Sequence, residues 1–159
     1  MKKSITFILI IFLCSCSVHT KEKPEDKLYG KVLSAINNMA TNNLSYADFD
    51  NVLEYISTGE KRWLELYPKL KKEPFSGITY FQEGLDISMS YALANNAPET
   101  LKYVNAENLD KICGIPFIEP TDEAVKAHYL KARKSLEPYS HENGRGVSCL
   151  SKLEQVFSQ

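Results

Sequence analysis

The stretch "ITYFQEGLDISMSYALA", residues 78–94, decides the fold. Phe81, Leu85, Met89 and Leu93 recur every four residues and make one stripe of a helix. Beside it, Gly84, Ser88 and Ala92 make a stripe of small residues, which lets a neighbouring backbone come close. A helix that is apolar around most of its circumference is one its neighbours bury. The segment therefore reads as the central helix of an all-α domain. Asn95 and Asn96 suit its end, and Pro98 suits the first position of a following helix.

Outward from this segment the helical period persists. Leu28, Val32, Ile36 and Met39 form an earlier amphipathic stripe. Ser45 stands three residues before Asp48 in a capping arrangement, ahead of Phe49, Val52, Leu53 and Ile56 at helical spacing. Gly59 should break that helix, with Ser57 and Glu60 at capping-box spacing for the next. That next helix turns Trp63, Leu64 and Tyr67 inward, and Pro68 kinks or ends it. Short helices are expected over 98–104 and 106–113, the second opened by Asn105 and closed by Gly114. "IPFIEP", residues 115–120, is held extended by its prolines. Thr121 opens a helix with Val125, Tyr129, Ala132 and Leu136 on one face, and Cys149, Leu150, Leu153 and Val156 form the inward face of a last one. No alternating run suggests a sheet. The expected fold is a compact bundle of about six to eight helices over residues 27–159.

The chain begins differently. Met1, Lys2 and Lys3 precede an apolar run over residues 5–13, and small Ser15 stands before Cys16, the layout of an export signal. The run is about nine residues where a membrane-spanning helix needs roughly 20, too short to remain as an anchor. Leu13-Cys14-Ser15-Cys16 resembles the cleavage motif of bacterial lipoprotein precursors, with Cys16 as the lipid acceptor. Cys14 as acceptor fails, because bulky Leu13 would occupy the position that must be small. An ordinary secretory signal cut elsewhere is the alternative. The resemblance implies a signal peptide over 1–15 and acyl chains that hold the protein to a membrane. With Ser17 next, it implies the periplasmic face of the outer membrane. Polar residues 17–26, "SVHTKEKPED", read as a tether.

Loss of Lys2 and Lys3 leaves 17 basic residues against 20 acidic ones, a net charge near −3. The charges are interspersed, and Lys69, Lys71 and Lys72 are the densest basic cluster, so nucleic acid is not an expected partner. In an exported protein Cys113 and Cys149 are most simply a disulfide; two buried thiols or a metal site are the alternatives. His128 and His141 lie between them, but without metal-ligand spacing, and no metal or other cofactor is expected.

Chemistry is sparse. Seven glycines form no phosphate-cradling cluster, and no nucleophile elbow or zinc-protease motif occurs. Glu83 and Asp86 interrupt the most apolar helix. A carboxyl forced among apolar walls becomes a general acid, so Glu83 is the candidate for a cell-wall-cleaving enzyme. The competing reading places both acids toward solvent or a neighbouring helix. Phe117, Ile118 and Glu119, on stiff backbone between Pro116 and Pro120, are candidates for partner binding, against a connector that tucks Phe117 and Ile118 into the core.

The signal, the helical bundle and the late cysteines in "ICGIPF" and "CLSKL" resemble small periplasmic immunity proteins of the Tai type over roughly residues 80–157. Cys113-Gly-Ile-Pro116 stands where that family has Cys-x-Pro. "YISTGEKRWLEL" with the same two segments also resembles uncharacterised bacterial lipoproteins. The first resemblance implies a non-enzymatic partner that blocks a secreted toxin. A lipid-anchored binding protein of the envelope is thus the expectation, with an accessory lipoprotein of envelope assembly or stress response and a wall-cleaving enzyme as alternatives.

Overall fold

In the computed structural model, which describes residues 23–116, 121–141 and 144–158, the central stretch is a helix, α5 (Thr79–Asn95). Phe81, Leu85, Met89, Ala92 and Leu93 are buried along it. Before it come α1 (Pro24–Asn38), α2 (Tyr46–Ser57) and two single turns, α3 (Lys61–Leu64) and α4 (Tyr67–Leu70). After it come α6 (Ala97–Thr100), α7 (Leu109–Ile112), α8 (Asp122–Leu136) and α9 (Arg145–Phe157). Two 3-10 turns, Leu101–Tyr103 and Glu137–Tyr139, extend α6 and α8. No strand occurs among the described residues. The architecture is the expected all-α bundle, five longer helices joined by single turns.

α2, α6, α7 and α8 are laid against α5, and α9 packs on α8 and α7. α2 packs along the small-residue stripe: a Cβ built on Gly84 would come 2.5 Å from Leu53 Cδ1, so the pair touches only because residue 84 has no side chain. α8 covers another side, where Ser90 and Tyr91 of α5 meet buried His128. Gln82 fixes the start of α5, its amide donating to the carbonyls of Leu70 (2.8 Å) and Phe75 (3.1 Å). Phe75 is in the loop before α5, yet is fully buried, and its ring meets those of Phe49 and Phe81.

The corner after α2 shows how its orphan carbonyls are satisfied. The amides of Asn95 and Asn96, at the end of α5, donate to the carbonyls of Ser57 (2.7 Å) and Gly59 (2.8 Å). Gly59 turns the chain with φ of +78°. Ser57 does not cap the next helix as its spacing suggests; its hydroxyl donates back to Glu54, and Thr58 Oγ1 accepts from the Glu60 amide. Pro68 does not kink a helix either. It stands at the start of α4, where its missing N–H costs nothing.

Other elements begin elsewhere than the sequence suggests. α1 starts at Pro24, so the last three residues of the expected tether form its first turn. Glu25 and Asp26 there are held by Arg62: Asp26 accepts from the guanidinium at 2.7 Å, and Glu25 accepts from Arg62 and from Trp63 Nε1 at 2.8 Å. The Asn105 side chain accepts from the amides of Glu107 and Asn108, and the helix proper opens only at Leu109. On α8 the innermost residues are His128, Ala132 and Leu136, with Val125 and Tyr129 half-buried beside them. The Ser45 and Thr121 caps form as expected.

Cys113, just after α7, and Cys149 of α9 are joined by a disulfide, with Cα atoms 5.0 Å apart, and both are fully buried. Each sulfur is thereby taken, which removes the free-thiol and thiolate-metal alternatives. On loop-closure entropy a bond across 36 residues stabilises the fold by about 3–4 kcal/mol, the loss expected in denaturant titrations of the double variant Cys113→Ser/Cys149→Ser. Two glycines should answer oppositely to alanine. At Gly59 the positive φ, with Asn96 Cβ 2.7 Å from an added Cβ, should cost about 1–3 kcal/mol. At Gly30, inside α1 with nothing within 4 Å, alanine should stabilise by about 0.5–1 kcal/mol.

Candidate functional site

Asp86 points from α5 toward α4 and α7 and is only 7% exposed. A buried carboxylate must be paired or hydrogen-bonded, and three side chains meet that demand. Lys71, one residue past α4, places its ammonium 3.0 Å from Oδ1; Lys111 of α7 places its own 3.1 Å from Oδ2; and the Tyr67 hydroxyl donates to Oδ1 at 3.1 Å. Burial, and after it the Asp86 charge, push the Tyr67 phenol well above its usual value, so it stays protonated and donates.

Above this cluster lies an open recess of about 460 Å³. Tyr67, Pro68 and Tyr103 give it apolar walls, and Lys71, Lys72 and Lys111 give it ammonium groups. Asn108 lines it beside Tyr67, its amide donating to the Tyr103 carbonyl at 3.0 Å and its Oδ1 accepting from the Asn105 amide at 2.8 Å. On the other side of the Lys111–Asp86 pair is a second recess of about 390 Å³, lined by Glu83, Ile87, Asp110, Ile115 and Pro116.

The acids of α5 therefore separate in role. Glu83 is exposed on the rim of the second recess, not set among apolar walls. The physical premise for a general acid there, a carboxyl deprived of water, does not hold. Asp86 is the buried one, and its partners are cations. Cys16, Phe117, Ile118 and Glu119 lie outside the described residues.

A serine and a histidine also meet in the core. Ser90 Oγ donates to the Gly114 carbonyl at 3.2 Å and lies 3.3 Å from His128 Nε2, while the Tyr91 ring stands edge-on to the imidazole at 5.6 Å. Ser90 has no exposed surface, so no substrate reaches its oxygen; the contact links α5, α8 and the segment carrying Cys113. Burial, and secondarily the Lys131 charge, push the imidazole down to about 4. No group of three His, Cys, Asp or Glu side chains placed to hold a metal occurs among the described residues, and no described helix is long and apolar enough to cross a membrane.

Comparison of the chain with protein-family models, curated proteins and solved structures finds no match. The fold and the site define a small disulfide-linked all-α domain with a lysine-lined recess floored by a buried aspartate.

The sequence singled out Asp86 as a charge on an apolar helix and the lysines at 69, 71 and 72 as a cluster, but joined neither to the other. Tyr67 and Lys111 carried no sign of a site. They come to Asp86 only because α4 and α7 dock on the same side of α5.

Asp86→Ala should lower stability by about 2 kcal/mol in denaturant titrations, because the Tyr67 hydroxyl and two ammoniums lose their common acceptor, and Asp86→Asn should cost less. His128 gives a pH signature. Its native value of about 4 lies below the unfolded 6.5, so the unfolded chain binds the extra proton, and stability present above pH 6.5 is lost as pH falls toward 4. The loss should reach about 3 kcal/mol at most. Urea midpoints between pH 7 and 4.5 should fall in the wild type and fall clearly less in His128→Gln, where carboxyls held low, such as Glu25 and Asp48, begin to lose stability at the acid end.

Proposed function

We propose that the chain is a bacterial lipoprotein, acylated at Cys16 and held at the periplasmic face of the outer membrane, that binds another envelope or secreted protein. The observation that carries the binding reading is the Asp86 site. A charged recess whose groups are fixed by one another, on α4 with the residue after it and on α7, both braced by α5, is preorganised to receive a partner at low entropic cost. Aromatic side chains on its wall are of the kind that anchor protein interfaces. The order of basic start, apolar run and Leu13-Cys14-Ser15-Cys16 supports the anchor and the location.

Within this reading an immunity protein against a wall-attacking toxin is the form favoured by the likeness of the cysteine segments to the Tai type. Such a protein works by occlusion, and a rigid domain suits that task, since a surface that does not rearrange on binding loses little entropy there.

Two measurements test the proposal. The mature protein purified from envelopes should begin at Cys16 and carry the added mass of acyl chains; a product without that mass, recovered from the cytoplasm, would sink it. Cross-linking in cells should join the protein to one partner in near-equal amount, and for the immunity form, deletion of this gene alone should be toxic while deletion together with the partner's gene is not.

A further inference from the structure

We infer that the recess over Asp86 receives an acidic side chain, Asp or Glu, from a peptide segment of the partner. This rests on the binding reading above and names the chemistry of its contact.

The floor of the recess carries two ammoniums on one carboxylate, Lys71 at 3.0 Å and Lys111 at 3.1 Å from the two oxygens of Asp86. One positive charge there is left over. Lys72 on the wall adds another. The order of depth fixes which sign meets an arriving group first. The Asp86 side chain is 10% exposed, whereas those of Lys71 and Lys111 are 30% and 62% exposed. An incoming cation would have to displace a lysine to reach the carboxylate. An incoming carboxylate meets ammoniums held in place by Asp86 and completes an alternating set of two cations and two anions, each making charge-assisted hydrogen bonds.

The other acids nearby do not cancel this. Glu99 is paired with Lys102, Asp110 with Lys152 at 2.8 Å, and Glu65 lies 3.9 Å from Lys61. Glu107, the remaining acid of the lining, offsets one charge, so Lys71, Lys72 and Lys111 against Asp86 and Glu107 leave one net positive charge in the recess. The rings of Pro68, Tyr67 and Tyr103 offer apolar surface to the methylene stem behind an acidic head, which a bare inorganic anion does not have.

The test uses the full mature protein in detergent, 15N-labelled, titrated with an acetylated, amidated hexaglutamate peptide, with hexalysine of the same build, and with inorganic phosphate. Hexaglutamate should shift the amides of residues 71, 72, 86 and 111, bind more weakly as salt rises, and lose at least tenfold in affinity in Lys72→Gln/Lys111→Gln. Lys72→Gln alone, which touches neither ion pair of Asp86, should retain the wild-type melting temperature and still lose two- to threefold. Unchanged affinity in both variants, tighter binding of hexalysine, no binding of any peptide, or displacement of hexaglutamate by an equimolar amount of phosphate would each overturn the inference. Partner capture by the wild type that survives in the double variant would overturn this contact while leaving the binding proposal standing; absence of a captured partner in the wild type is the failure of that proposal instead.

Discussion

Enclosing most of α5 imposes conditions on the residues it buries, and most of the structure follows from how they are met. A helix approached on several sides keeps little solvent face, the part that carries Tyr80 and Glu83, on which to put a mismatch. Where α2 comes nearest, residue 84 must be glycine or Leu53 must move. Where α8 comes nearest, a hydroxyl and an imidazole fill the gap, Ser90 against His128. Where α4 and α7 come nearest, the helix carries Asp86, and a carboxylate at that depth is tolerated only with cations at hand. The lysine-lined recess thus arises from the same enclosure that makes the core, and its groups are positioned by packing, not by a flexible loop.

Polar side chains do much of the joining between elements. Asn95 and Asn96 close the open end of α2, Gln82 ties α5 to the preceding loop, and Arg62 gathers the two acids of the first turn of α1. These residues bond backbone carbonyls or carboxylates that would otherwise face a half-buried boundary unpaired, where the loss of a partner is costly. The result is a bundle of short elements whose corners are fixed as firmly as its core. Such a scaffold can hold a charged site without help from a large sheet or a bound metal.

Much of this was legible in the residues. The stripe Phe81, Leu85, Met89 and Leu93 located α5 within a residue at each end, because a strong period states both the helix and its buried face. The Ser45 and Thr121 caps were readable because their hydrogen bonds span only three residues. Cysteine number, read with the export layout expected of residues 1–16, led to the disulfide. What stayed hidden was non-local. Phe75 reaches the core from a loop with no period to announce it, and His128 takes the innermost place on α8 that the apolar pattern gave to Val125 and Tyr129. The recess was legible only in parts: Asp86 stood out as a charge in apolar company and the lysines as a cluster, but their meeting depends on Lys111, 25 positions further on. Spacing along a chain carries no record of such a junction.

The bond between Cys113 and Cys149 closes a covalent ring in the backbone, and the whole of α8 lies inside it. A protease that nicks the chain once within that ring releases nothing: α9 stays attached through sulfur, α8 stays attached through one of its ends, and the core contacts of both hold the cut edges near their original places. Shedding a fragment from within the ring takes a second cut, or a reductant after the first. Under proteolysis, that redundancy lengthens service life without any change in the surface the domain presents.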